Sequence, residues 1–171
     1  MTLLELSPPV NTTGTYAAVT FSPKTIAKLI RFCEENGVKN VLNADKFHTT
    51  LIYSRKEMPD YKAAGDLKTK LIGEPEELLI WKTRSEDKDK KPSNCLVLKY
   101  KCPALVARHN QLMKEHEGTY DFDEFTPHIT LSYNIGDDSI DHLQEKLKEF
   151  GEIEIDHEYT EKLDLNWATK K

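Results

Sequence analysis

The chain has no long apolar run. Nowhere in its 171 residues does it approach the roughly 18 apolar residues that a membrane-crossing helix needs, so no membrane span is expected. The first residues carry an early Glu5 and no basic stretch, and no secretory signal is read there. Cysteine is scarce. Cys33, Cys95 and Cys102 lack metal-ligand spacing and read as reduced thiols, small buried hydrophobes of a cytoplasmic protein. No cluster of His, Cys and Asp resembles a metal site, and neither metal nor cofactor is expected. Positive charge is also in deficit: 24 Lys and Arg against 29 Asp and Glu leave a formal charge of −5. A protein that tracks long nucleic acid normally carries a basic face, so long nucleic acid is not expected as the main ligand. A compact ligand with two or three phosphates needs only local positive character and stays open.

What is present suits a globular chain of one domain, residues 1–171, with 38% hydrophobic and 31% charged residues. Gly14 to Phe21 reads as a strand. Ser22-Pro23 opens a helix, with Ser as N-cap and Pro at the first helical position, and Asn36-Gly37 closes it. Its apolar stripe is Ile26, Leu29, Ile30 and Cys33. Strands are expected at Phe47–Tyr53, Glu76–Thr83 and Asn94–Lys101. The mixed-charge stretch Arg84–Ser93 reads as a solvated hairpin loop. Pro103 opens a second helix that runs to about Glu117, with Leu105, Leu112 and Met113 inward and Gly118 as its stop. Asp137 or Asp138 caps a third, whose stripe is Ile140, Leu143, Leu147 and Phe150. Ile153–Tyr159 and Lys162–Trp167 read as two final strands.

One strand pattern occurs twice. Phe47-His-Thr-Thr-Leu-Ile-Tyr-Ser54 and Pro127-His-Ile-Thr-Leu-Ser-Tyr-Asn134 share His48 with His128, Thr50 with Thr130, Leu51 with Leu131 and Tyr53 with Tyr133. On a strand, residues i and i+2 point to one face, so each copy presents a His and a Thr side by side. Two imidazoles can take a proton from an attacking oxygen and give one to a leaving oxygen. Two hydroxyls can donate to phosphate oxygens where charge builds up. The other histidines (His109, His116, His142 and His157) lack a Thr or Ser two positions on. The order strand, helix, motif strand also occurs twice, which implies an α+β fold.

This paired pattern resembles the 2H phosphoesterase family, named for two His-x-Thr/Ser motifs. The resemblance implies a bilobed, pseudo-twofold fold with two antiparallel sheets, helices packed outside and one central cleft. Within that family the chain looks most like the bacteriophage anti-CBASS phosphodiesterases, which destroy the cyclic di- and trinucleotide alarm signals of bacterial immunity. The resemblance implies metal-independent cleavage of a cyclic oligonucleotide by its 2′-hydroxyl, with His48, Thr50, His128 and Thr130 catalytic and the bacterial host cytoplasm as location. It further implies a base-binding role for Tyr16, on the strand before the first helix, and for Glu161 and Trp167, six residues apart. From the residues alone, Trp167 and Tyr16 also fit a core and Glu161 a solvated surface; Trp81 is a further aromatic candidate, expected rather to pack against its own sheet. Two other readings keep the motifs: a 2H-type enzyme of RNA ends or 2′,3′-cyclic phosphates, and a non-enzymatic sponge for cyclic nucleotides. A protein–protein adaptor has only the charged loop in its favour, and no obligate protein partner is expected.

Overall fold

A computed structural model describes residues 13–82, 93–120 and 124–164. Among them are six strands and three α-helices: β1 (Thr13–Phe21), α1 (Pro23–Glu35), β2 (Thr49–Ser54), β3 (Gly65–Lys82), β4 (Asn94–Lys101), α2 (Pro103–His116), β5 (His128–Ser132), α3 (Asp141–Leu147) and β6 (Ile153–Asp164). The strands form one open antiparallel sheet in the order β2-β1-β6-β3-β4-β5.

One sheet stands where two were expected, because β3 is 18 residues long and serves both halves. Its first part, to Gly73, pairs with β6; its second, from Glu74, pairs with β4. The sequence reading finds only the second part. Residues 65–75 set Leu67 and Leu71 among charges and between Gly65, Gly73 and Pro75, residues that normally interrupt a strand. Beyond Gly73 the edge of β3 has no β6 beside it. There the Gln144 side chain accepts from the Leu78 N–H (2.9 Å) and donates to the Leu78 carbonyl (2.6 Å), doing what a neighbouring strand would do.

The helices begin and end for local reasons. The Thr25 N–H donates to the Ser22 hydroxyl (3.2 Å) and Pro23 opens α1, while Gly37 takes a left-handed φ of 67° beyond its end. In α2 the left-handed residue is Glu117 (φ 52°), not Gly118. Gly118 makes room instead, since a Cβ there would lie 2.9 Å from Met58 Sδ. The expected aspartate cap of α3 is also replaced. Asp138 pairs with Lys39 (3.3 Å), the helix starts later at Asp141, and the Ser139 hydroxyl accepts the Asp141 N–H (3.3 Å). The two expected final strands are one, β6, which runs through residues 160 and 161 because both pair with β1.

A single core joins the sheet to all three helices: Leu29, Phe32 and Cys33 from α1, Leu105 and Leu112 from α2, Leu143 and Leu147 from α3. The three cysteines are buried and unpaired in disulfides. Residues 57–64 form neither helix nor strand, yet they are anchored by Glu158. Its carboxylate accepts from Arg108 Nε and Nη2 (2.9 and 3.0 Å), the Tyr61 hydroxyl (2.9 Å) and the Ala64 N–H (2.7 Å). Burial opposes its ionisation, but these donors outweigh it and hold the carboxyl below the usual carboxylate range.

Candidate functional site

Alternation along β2 and β5 divides the two motifs between two faces. Thr49 and Leu51, with Ile129 and Leu131, are fully buried on the core side. His48, Thr50, His128 and Thr130 therefore project from the opposite face, and each remains partly exposed. The two strands are the outermost in the sheet order, yet their motif ends touch. The Thr49 hydroxyl donates to the His128 carbonyl at 2.9 Å, and the Leu42 N–H donates to the Leu131 carbonyl at 3.0 Å.

The two imidazoles are held in the same way. His48 Nδ1 lies 2.8 Å from the Lys46 carbonyl, at the end of a short 3₁₀ turn (Ala44–Lys46). His128 Nδ1 lies 3.0 Å from the Thr126 carbonyl. A carbonyl only accepts, so each Nδ1 carries the proton and each neutral ring keeps its lone pair on Nε2. Both nitrogens are thereby aimed and set in one tautomer. Burial holds the His128 pKa below the ordinary histidine value, the charge of His48 adds to that, and the Thr126 carbonyl opposes it.

Around them the open face carries an aromatic wall. The Tyr16 hydroxyl is 3.2 Å from the Thr50 hydroxyl, and Tyr159 stands beside it with ring centroids 6.4 Å apart. Burial pushes the Tyr16 phenol up to about 12. Glu161 is the direct cross-strand partner of Tyr16, is exposed, and lines a hollow of about 230 Å³ with Gly14, Thr15, Met58 and Lys162. Tyr16 thus lies between Glu161 across the ladder and the Thr50 hydroxyl. Trp167 and most of the charged loop Arg84–Ser93 lie outside the described residues.

Of the two readings of Trp81, the position beside His128 fits that of a further aromatic candidate. Trp81 is 43% exposed, and its ring centroid is 4.5 Å from that of His128 with the planes at 60°. Near the end of β3 it is a wall of the site rather than filler for its sheet. Sequence reasoning also misses Tyr159, Thr49 and Tyr100. The alternation His157, Tyr159, Glu161 could have pointed to Tyr159, but Thr49 and Tyr100 look like any core residues. Among the described residues, no three His, Cys, Asp or Glu side chains converge as a metal-binding group.

Fold and site together define an α+β protein in which two copies of a strand motif, each with an oriented imidazole and a threonine, meet where the Thr49 hydroxyl reaches the His128 carbonyl. A family model described as "Anti-CBASS protein Acb1" matches residues 13–170. An Anti-CBASS protein Acb1 of Vibrio phage KVP40 is 35% identical over 165 residues, covering 96% of this chain and 97% of that one. Its counterpart in Enterobacteria phage T4 is 34% identical over 160 residues, covering 91% and 92%. That of Salmonella phage S16 is 32% identical over 155 residues, covering 91% of each. The chain belongs to the Anti-CBASS protein Acb1 family.

Proposed function

We propose that this protein is a phosphodiesterase of the 2H type that linearises cyclic di- and trinucleotides in the host cytoplasm, and so blunts CBASS immunity. The observation that carries this reading is the matched pair of histidines. Each has Nδ1 tied to a carbonyl two residues upstream, and each is followed two residues on by a threonine on the same face. A sponge has no use for two aimed Nε2 atoms, whereas in-line phosphoryl transfer needs one base and one acid.

Sequence symmetry leaves the order of the histidines open, and burial supports an assignment. His128, whose pKa burial holds below the ordinary histidine value, is favoured as the neutral imidazole and serves as base. Its Nε2 takes the proton of the ribose 2′-hydroxyl, whose oxygen attacks the adjacent phosphorus. The P–O5′ bond breaks, and protonated His48 gives Nε2–H to the departing 5′-oxygen. Thr50 and Thr130 donate to the non-bridging oxygens as charge gathers there. The product is a linear strand ending in a 2′,3′-cyclic phosphate, which water opens in a second pass with the roles exchanged. Tyr16 and Trp81 offer flat faces for bases, and Glu161 can accept from the exocyclic amine of adenine. The twice-used strand–helix–motif-strand order supports a description as two pseudo-twofold lobes sharing one central cleft.

The test is incubation with 3′,3′-linked cyclic GMP–AMP in excess EDTA, with products followed by mass spectrometry. Linearisation is expected, with His48→Ala and His128→Ala each reducing the rate about 10²–10⁴-fold. Ligand bound and recovered intact would move the reading to a sponge. Turnover of RNA ends alone would keep the chemistry and change the substrate.

A further inference from the structure

We infer that Thr49 and Tyr100 form a buried clasp that fixes the separation of His48 and His128, and that both are positioning residues for the reaction proposed above.

Tyr100 is 1% exposed and Thr49 is fully buried, both on the core side of the sheet. The Tyr100 hydroxyl donates to Thr49 Oγ1 (2.8 Å), and the Thr49 hydroxyl donates in turn to the His128 carbonyl (2.9 Å). Meanwhile the Tyr100 N–H donates to the carbonyl of Pro127 (3.1 Å), the residue before His128. One residue of β4 therefore grips the chain on the N-terminal side of His128 and, through Thr49, on the C-terminal side of His48. Hydrogen bonds in such a chain strengthen one another in a low-dielectric interior.

The seat of the Tyr100 ring is itself specified. A Cβ on Gly73 would lie 2.6 Å from Tyr100 Cδ2 and 2.9 Å from Cε2, so only glycine leaves the ring room. That glycine is also where β3 passes from β6 to β4. The Thr49 hydroxyl, sandwiched in the repeat between His48 and Thr50, does the joining that no ladder hydrogen bond between β2 and β5 provides among the described pairings. A 1 Å change in the spacing of acid and base costs about 10²-fold in rate.

The test compares wild type with Thr49→Val, Tyr100→Phe, the double variant and Thr49→Ser. In the double variant both hydroxyls are gone together and only the His128 carbonyl loses a donor, so the fold is checked by circular dichroism and a thermal melt before kinetics. The double variant's kcat should fall about 10–100-fold with KM within about twofold, and Thr49→Ser should return kcat to near wild type. A second arm needs no turnover. ¹⁵N spectra of the imidazoles should give a His128 titration midpoint that shifts when His48 is replaced (His48→Gln), and that shift should shrink in the double variant. A loss of stability with kcat and imidazole titrations unchanged would overturn the inference. If wild type cleaves no cyclic dinucleotide, the proposed function falls while the titrations still decide the clasp.

Discussion

At the scale of single residues, the site separates two uses of an aromatic ring. Tyr16 offers both a face and a hydroxyl, and the hydroxyl is 3.2 Å from that of Thr50. Tyr16→Phe keeps the face and should lower kcat about tenfold, the equivalent of one hydrogen bond, with KM little changed. Tyr16→Ala should raise KM as well, because base stacking of about 1–3 kcal/mol is lost. Steady-state kinetics of the two variants distinguish the roles. Trp81 should behave in a third way. Its ring helps bury His128, so Trp81→Ala should raise KM and also return the His128 pKa towards the ordinary histidine value. If His128 is the base, kcat/KM in wild type falls as pH drops through a value below about 6.5, and in Trp81→Ala that acid limb moves to higher pH.

At the scale of elements, the motif strands were legible because their chemistry is local: a His, a Thr and apolar neighbours repeated in register. Helix α1 was legible from Ser22-Pro23 and Asn36-Gly37, which carry their reasons in their own side chains. The rest was not, for physical reasons. The first half of β3 is a strand because β6 lies beside it, and nothing in Gly65–Pro75 announces a partner some 80 residues on. The start of α3 falls at Asp141, beyond both expected aspartate caps, and Asp138 pairs instead with the distant Lys39. Gln144 belongs to the same class of hidden residue. Gln144→Ala should leave the Leu78 N–H and carbonyl without their side-chain partner, costing about 1–3 kcal/mol in a urea titration. It should also open a sheet edge, so light scattering at rising concentration should show earlier self-association than in wild type.

At the scale of the whole molecule, acid should act through its buried histidines first. His109 is 4% exposed, its Nδ1 donates to the Leu51 carbonyl (2.8 Å), and its ring stacks on Phe125 with centroids 4.2 Å apart. Burial lowers its pKa, as it does that of His128. Both rings therefore bind protons more weakly when folded than when unfolded. The stability this confers is complete above the unfolded histidine value of about 6.5 and is lost as pH falls below it. Thermal midpoints should decline from pH 7.5 to 5.5. A second decline should begin below about 4.3, where Glu158, held ionised by Arg108, would have to take a proton. The site was legible at this scale only in part: the repeat and the family resemblance lead to the expectation that the two motif strands adjoin, but nothing in the text around Thr49 or Tyr100 marks the core-side hydrogen bonds that run from Tyr100 to the His128 carbonyl.

The position of β1 has a consequence for how the protein is made. This strand sits inside the sheet between β2 and β6, and its register runs from Thr13 opposite Asp164 to Phe21 opposite Ile155. About 130 residues separate the end of β1 from the start of β6. At about 5–20 residues per second, a ribosome needs about 7–26 s to deliver the partner strand. Through that interval β1 can pair only with β2, across the intervening helix α1 and with one bare edge, and the second half of β3 can pair only with β4. Neither piece has its share of the core. Chains arrested on the ribosome before residue 153 should thus remain open to protease, and those released a few seconds later should not: birth of the fold is a single late event.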